Sequence, residues 1–118
     1  MQPSLYARYI EEREGKFIYE NKKGYVVYSF NGEECYIEEI YILLPYRKTG
    51  VASTMADHVA ELAKSKGCTF LTGTIDPGAN NSTVSMKVLI SYGFKLHSVK
   101  GDLIILTKPL EGSHGKAG

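Results

Sequence analysis

Two adjacent cations and a glycine, Arg47, Lys48 and Gly50, follow an apolar run and precede a stretch with helical spacing of apolar residues. The first backbone N–H groups of a helix lack intrahelical partners, and the helix dipole favours negative charge at that end. Gly50 would let the backbone approach a ligand closely, and the cations add charge. The segment therefore has the chemistry of a phosphate-binding turn.

Two adjacent carboxylates, Glu38 and Glu39, lie inside the apolar run IEEIYILL that precedes this turn. Carboxylates in an apolar strand are costly unless a site uses them, and a positioned carboxylate can take a proton from an ammonium ion. Strand alternation directs neighbouring side chains to opposite faces, so only one can face a cleft unless a bulge intervenes. Both are candidate bases, and the alternative is that they are edge or surface carboxylates.

The elements that would position these groups follow from apolar periodicity and turn residues. The first helix would begin at a Ser4 cap and end at Gly15. Its predicted apolar face consists of Leu5, Tyr6, Tyr9 and Ile10. The predicted helices and strands, in chain order, are helix 4–15, strands 16–20, 24–30 and 35–44, helix 51–66, strand 69–75, helix 82–92, and strands 94–99 and 102–108.

This order, three antiparallel strands followed by a helical crossover, predicts an α+β domain with a mixed sheet of about six strands and three helices. The second helix would pack through Val51, Met55, Val59, Leu62 and Ala63, and the third through Val84, Val88, Leu89 and Tyr92. The basic turn lies where the sheet changes from antiparallel to parallel. Such switch points leave a crevice at the strand ends where ligands bind.

Composition and length are typical of one small domain, predicted over residues 1–110 with a flexible tail at 111–118. The formal net charge of +1 argues against nucleic acid as the main partner. No apolar run has the length of a membrane span and no signal-peptide core is present, so we predict a cytoplasmic protein. Cys35 and Cys68 are expected to be thiols that serve packing, and the cysteines and histidines show no metal-type spacing.

Two segments together carry a resemblance to a known family. The turn Arg47–Ala52 is similar to the (Q/R)-x-x-G-x-(G/A) signature of the GNAT N-acetyltransferase superfamily, and it has the same strand–turn–helix context. Downstream, Asn81–Leu89 followed by Tyr92-Gly93-Phe94 resembles the family's N-x-x-(A/S) helix that ends in G-F. The resemblance covers roughly Phe17 to Lys108.

The resemblance implies binding of acetyl-coenzyme A. Its pyrophosphate would lie on the N–H groups of the turn, and its pantetheine arm would pair with the preceding strand. The N–H of Ile42 would polarise the acetyl carbonyl, and Asn81 would contact the pantetheine or the thiol end. The residues so implied in coenzyme binding are Ile42, Leu43, Leu44, Arg47, Lys48, Thr49, Gly50, Val51, Ala52, Ser53 and Asn81.

For catalysis, the segment Tyr36–Ile42 is similar to the Y-L-E-D segment of polyamine-acetylating members. This implies Glu38 as the base, acting through a water molecule, with Glu39 as a second candidate or as a holder of a cationic substrate. Many members place a tyrosine where this chain has Leu89, so the usual acid is missing. Ser85 is the first candidate to protonate the thiolate and Tyr92 the second, and solvent water is an alternative.

The activity implied is direct transfer of an acetyl group from acetyl-coenzyme A to a primary amine within a ternary complex. The alternative is a catalytically degenerate module that binds the coenzyme or a protein partner without turnover. About 15 residues precede the first hairpin, where the family usually has a strand and two helices. The acceptor side would then be open to a small molecule or a protein amine, or be completed by a second copy in a homodimer.

Overall fold

A computed structural model of the protein describes residues 4–78 and 82–110, and the side chains of residues 82–85 are outside this description. The predicted tail 111–118 and Asn81 also lie outside the described residues. The elements are α1 (Leu5–Glu14), β1 (Phe17–Asn21), β2 (Gly24–Asn31), β3 (Glu34–Ile42), a 3-10 turn (Leu44–Tyr46), α2 (Val51–Ser65), β4 (Phe70–Ile75), α3 (Ser82–Tyr92), β5 (Lys95–Lys100) and β6 (Leu103–Pro109).

The six strands form one mixed sheet in the order β1-β2-β3-β4-β6-β5. All neighbours are antiparallel except β3 and β4, which α2 connects as a parallel pair. The predicted α+β class with a mixed sheet, six strands and three helices is confirmed. None of the helices within the described residues is long and apolar enough to cross a membrane.

Strands β3 and β4 pair over only part of their length. The parallel register runs from Glu34 opposite Phe70 to Ile37 opposite Gly73. Beyond Ile37, β3 continues to Ile42 while β4 remains paired with β6. The two parallel strands therefore diverge, and a V-shaped opening is left between them at their carboxyl ends.

A β-bulge lies at the start of this opening. Val27 of β2 is opposite Glu39, whereas the next residue, Tyr28, is opposite Ile37, so Glu38 is the extra residue in β3. A bulge of this kind shifts the alternation of side chains by one position. Ile37 and Ile40 consequently share one face of the sheet, and both glutamates face the other.

The main core lies between one face of the sheet and helices α2 and α3. Its most deeply buried side chains come from β2, β3, α2, β4 and β6 and the segment before β4; they are Val26, Cys35, Met55, Val59, Cys68, Leu71 and Leu106. The predicted stripe of α2 is confirmed in this core. The prediction for α3 was wrong at Val88, which is 38% exposed because it borders an open cleft.

Helix α1 begins and ends as predicted, but its predicted apolar face was wrong at Leu5, Tyr6 and Tyr9 and correct only at Ile10. Ser4 accepts a hydrogen bond from the N–H of Ala7, and Gly15 ends the helix with a φ of 68°. Only Ala7 and Ile10 are buried, whereas the other predicted face residues are 84%, 64% and 49% exposed. Tyr6 lines a cleft under the helix and Tyr9 packs against Arg13 of the same helix, so neither enters the core.

Candidate functional site

The turn between β3 and α2 leads to a helix start whose backbone N–H groups are not capped by a side chain. Strand β3 ends at Ile42, so the predicted extension of the strand through Leu43 and Leu44 was wrong; Pro45 lies instead in the 3-10 turn. Proline lacks the N–H that a strand needs and favours such a turn. Leu43 and Leu44 are 40% and 71% exposed.

Helix α2 starts directly after Gly50, whose φ is 88° and which provides no side-chain cap. Its first backbone bond joins the N–H of Thr54 to the carbonyl of Gly50. Among the described groups, none accepts from the N–H of Val51, Ala52 or Ser53. A Cβ built at Gly50 meets nothing within 4 Å, so the approach to this helix end is open.

The two cations of the turn differ in their surroundings. The Nε of Arg47 donates to the carbonyl of Ile42 at 2.7 Å, and the guanidinium lies 5.6 Å from the ring centroid of Tyr41. Arg47 thus holds the turn against the end of β3. Lys48 is exposed and has a φ of 63°, an uncommon conformation for a residue other than glycine. Its ammonium is free of ion pairs within the described residues and can face a ligand at the helix end.

The open edge of β3 offers backbone groups to a ligand. On the other side of the strand, the N–H of Leu43 donates to the carbonyl of Lys23 at 2.8 Å. Because alternate residues of a strand direct their N–H groups to opposite neighbours, those of Ile40 and Ile42 are directed into the V-shaped opening. The predicted donor Ile42 is therefore placed on the open edge, together with Ile40, which the sequence did not single out.

An apolar cleft lies on the α2 and α3 side of this opening and has about 250 Å³ of open space. Ala52, Ser53 and Ala56, small residues of α2, leave room there, and Leu89 contributes to the opposite wall. Gly73 of β4 also makes room, since a Cβ at Gly73 would lie 3.2 Å from the side chain of Leu89. Among the described residues, the lining consists of Ile37, Ile40, Ala52, Ser53, Ala56, Val88, Leu89, Tyr92 and Phe94.

A second, polar cleft of about 590 Å³ of open space lies on the opposite face, beneath α1. Glu38 and Glu39 both line it, so the bulge brings the two predicted carboxylates to one side. Glu39 accepts a hydrogen bond from the hydroxyl of Tyr25 at 3.1 Å. In the part of the chain that the structure describes, its lining consists of Tyr6, Ile10, Glu14, Lys16, Ile18, Val27, Glu38 and Glu39.

Glu38 is paired with a cation inside this cleft. The ammonium of Lys16 lies 2.9 Å from each carboxylate oxygen of Glu38 and 3.3 Å from Glu14. The hydrogen bond that Lys16 donates to Glu38 is the main cause that raises the pKa of Lys16 above its ordinary value. Sequence patterns could not indicate this pair, because Lys16 follows α1 and Glu38 is brought to it only by the sheet.

Of the two predicted acid candidates, the structure describes the side chain of Tyr92 alone. Tyr92 lines the apolar cleft, but its hydroxyl donates to a carboxylate oxygen of Asp57 at 2.5 Å. Burial raises the pKa of Tyr92 and the hydrogen bond to Asp57 raises it further, so the proton is held tightly. Ser85 lies in α3, with its side chain outside the described residues. Leu89, at the position of the usual tyrosine, is buried against Gly73.

Comparison with known proteins agrees with this architecture. A sequence profile described as the acetyltransferase (GNAT) family matches residues 2–86. The chain belongs to this family. It is 34% identical over 58 residues to the thialysine N-epsilon-acetyltransferase of Mus musculus, a match that covers 48% of this chain and 34% of the mouse protein. The chain thus spans about a third of the length of that relative.

Solved structures show the same fold. A GNAT family acetyltransferase from Elizabethkingia anophelis with acetyl-CoA bound superposes with a TM-score of 0.68 at 18% identity, covering 92% of each chain. The PaiA N-acetyltransferase of Thermoplasma acidophilum in complex with coenzyme A gives a TM-score of 0.66 at 16% identity, covering 74% of this chain and 53% of that chain. At these identities the likeness concerns the fold.

Proposed function

We propose that the protein transfers an acetyl group from acetyl-coenzyme A to a primary amine by direct attack within a ternary complex. One observation carries the proposal: the open edge of β3 leads directly to the uncapped first turn of α2. A ligand that needs both a strand partner and an anion site fits such a surface. Coenzyme A combines an amide-containing arm with a pyrophosphate, and two structural neighbours carry coenzyme A or acetyl-CoA.

The coenzyme's pyrophosphate would rest on the free N–H groups of Val51, Ala52 and Ser53, with the ammonium of Lys48 as counter-charge. The pantetheine arm would pair with Ile40 and Ile42 at the open edge and pass over the apolar cleft. Arg47 would act mainly by fixing the turn, since its Nε is bound to the end of β3. These residues bind and orient the thioester, and Ile42 would donate to its carbonyl oxygen.

The acceptor amine would approach through the polar cleft under α1, on the face of the sheet opposite the apolar cleft. Primary amines are cationic at neutral pH, and Glu38 and Glu39 supply negative charge at this point. Glu38 would take the ammonium proton, directly or through a water molecule, and Glu39 would hold the amine in place. The mouse relative is named for acetylation at an ε-nitrogen, which supports an aliphatic amine as acceptor.

Binding of the coenzyme is tested by titration calorimetry with acetyl-coenzyme A. We expect the wild type to bind and Gly50→Glu to lose binding at least about 100-fold, because a carboxylate would lie where the phosphates bind. The matched control is Gly67→Glu at the other end of α2. Gly67 has a φ of 89° and the same open surroundings, so the backbone strain is comparable. Absence of binding to the folded wild type at millimolar ligand would refute the proposal.

The base is tested by steady-state kinetics with an amine found in a screen of diamines and lysine peptides. Glu38→Gln should lower kcat by about 10²- to 10³-fold, the usual range for loss of a general base. Glu39→Gln should mainly raise the KM for the amine, because it removes a negative charge that holds the amine and leaves the base in place. Full turnover of Glu38→Gln would exclude Glu38 and leave Glu39 as the base.

A further inference from the structure

The polar cleft already contains a primary amine that belongs to the chain. The Lys16 ammonium lies 2.9 Å from both oxygens of Glu38, in the cleft that would admit an acceptor. Lys16 follows Gly15 at the end of α1, and its side chain is 32% exposed. These distances are within the usual range for a hydrogen bond between an ammonium and a carboxylate.

We propose that Lys16 is an acetyl acceptor in its own active site, so that the protein acetylates the Nζ of Lys16 in cis. The inference rests on the proposed function and extends it to a modification site. Glu38 is the bulged residue where β3 leaves β4, and the open edge that would hold the thioester begins two residues later at Ile40. The Lys16 amine therefore lies where the open edge begins, and the acetyl group would be held farther along the same edge, at Ile42.

The ion pair between Lys16 and Glu38 is weak enough for the amine of Lys16 to react. The side chains of Lys16 and Glu38 are about one-third exposed, and ion pairs of this kind contribute little to stability. The flexible four-carbon stem of lysine allows the amine to swing from Glu38 toward the open edge.

The chemical step balances without a further reagent. The ammonium of Lys16 loses one proton to Glu38, which passes it to solvent. The freed amine attacks the acetyl carbonyl carbon, so that the C–N bond forms and the C–S bond breaks. The second proton of the attacking nitrogen is taken up by the departing thiolate, giving Nζ-acetyllysine, free coenzyme A and one proton in solution.

Acetylation would also change the cleft. The acetylated nitrogen carries no positive charge and cannot form the ion pair, so Glu38 would lose the partner that occupies it. A second acceptor would then meet an unpaired carboxylate. The modification would thus be expected to increase the rate with added amines.

The test is a time course of the wild-type protein with acetyl-coenzyme A, followed by peptide mapping in a mass spectrometer. Lys64 is the matched internal control, since it also pairs with a carboxylate, Glu61 at 3.2 Å, but lies on α2 outside both clefts. We expect Lys16 to be acetylated at least about 50-fold faster than Lys64. The rate constant should be independent of protein concentration, and the urea-unfolded protein should show no preference.

Two variants complete the design. Gly50→Glu should abolish the preference for Lys16 while leaving the slow chemical acetylation of Lys64 unchanged, and Lys16→Arg should show no fast modification. Equal rates at Lys16 and Lys64, or a rate proportional to protein concentration, would overturn the inference. Coenzyme A release with added amines is measured in parallel. If such release occurs while Lys16 stays unmodified, the proposed function stands and the inference fails.

Discussion

At the scale of single residues, Tyr92 shows how position decides between catalysis and support. Its hydroxyl donates to Asp57 at 2.5 Å and so joins α3 to α2 across the apolar cleft. The ammonium of Lys108 lies 5.2 Å from the centre of its ring. Burial and the Asp57 carboxylate raise the pKa of Tyr92, so the group is a poor proton donor near neutral pH. These contacts favour a supporting role for Tyr92.

We therefore expect Tyr92→Phe to lower the free energy of unfolding by about 1–2 kcal/mol. This is below the usual range of about 1.5–3 kcal/mol for a hydrogen bond to a charged group, because Asp57 is exposed to solvent. Turnover with an identified amine should stay within about twofold of the wild type. Urea denaturation and steady-state kinetics measure the two effects. A loss of kcat near 100-fold would instead identify Tyr92 as the acid.

The same substitution has a pH signature. A tyrosine whose pKa is raised in the folded state contributes stability that is complete below its ordinary pKa of about 10 and is lost as pH rises above that value. The stability difference between wild type and Tyr92→Phe should therefore be constant from pH 7 to about 9 and shrink above about 10. A difference that widens at high pH would contradict the assignment of the raised pKa to the folded state.

At the scale of elements, the sequence predicts the end of a helix or strand correctly where that end depends on residues adjacent in the chain. Ser4 and Gly15 mark the ends of α1, and Asn21 accepts hydrogen bonds from the N–H groups of Lys23 and Gly24 in the first hairpin. From the sequence, a bulge could be stated only as the condition under which both glutamates face one cleft. Whether it forms depends on the register of β3 against β2.

The site shows the same division between local and distant information. Turn chemistry predicted the uncapped start of α2, since a helix end, a glycine and cations are adjacent in the chain. The contact of Lys16 with Glu38 and that of Tyr92 with Asp57 join residues that are 22 and 35 positions apart. Periodicity marks which residues are apolar, but not what covers them, which is why the face of α1 was assigned wrongly.

The open edge of β3 gives a prediction for this element. Acetyl-coenzyme A should slow amide hydrogen exchange at Ile40 and Ile42 at least about 10-fold, because their N–H groups face the opening. Exchange at Glu39 and Tyr41 should change little, since alternation directs their N–H groups to β2. NMR measures the exchange at each of these residues. The control is Gly50→Glu with acetyl-coenzyme A added, since this variant should not bind the ligand. Uniform protection along β3 would indicate general stabilisation in place of strand pairing.

At the scale of the whole molecule, one core packs the sheet against α2 and α3. Cys35 of β3 and Cys68, just before β4, are free thiols with 0% and 1% exposure. Burial raises the pKa of Cys35 to about 12, with a smaller contribution from Cys68, and burial also raises the pKa of Cys68. Since the thiolate is the reactive form, both cysteines should be inert until the core opens.

Labelling of these thiols should therefore report opening of the entire domain. For a stability near 5 kcal/mol, about one molecule in several thousand is unfolded, so labelling at pH 8 should be at least about 10³-fold slower than in urea. Acetyl-coenzyme A at 100 times its Kd should slow labelling of both cysteines by a further factor of about 100, because it binds only the folded state. Gly50→Glu should lose this ligand effect. If one cysteine labels much faster than the other, or if the ligand protects only one, the core opens locally and the domain does not unfold as one unit.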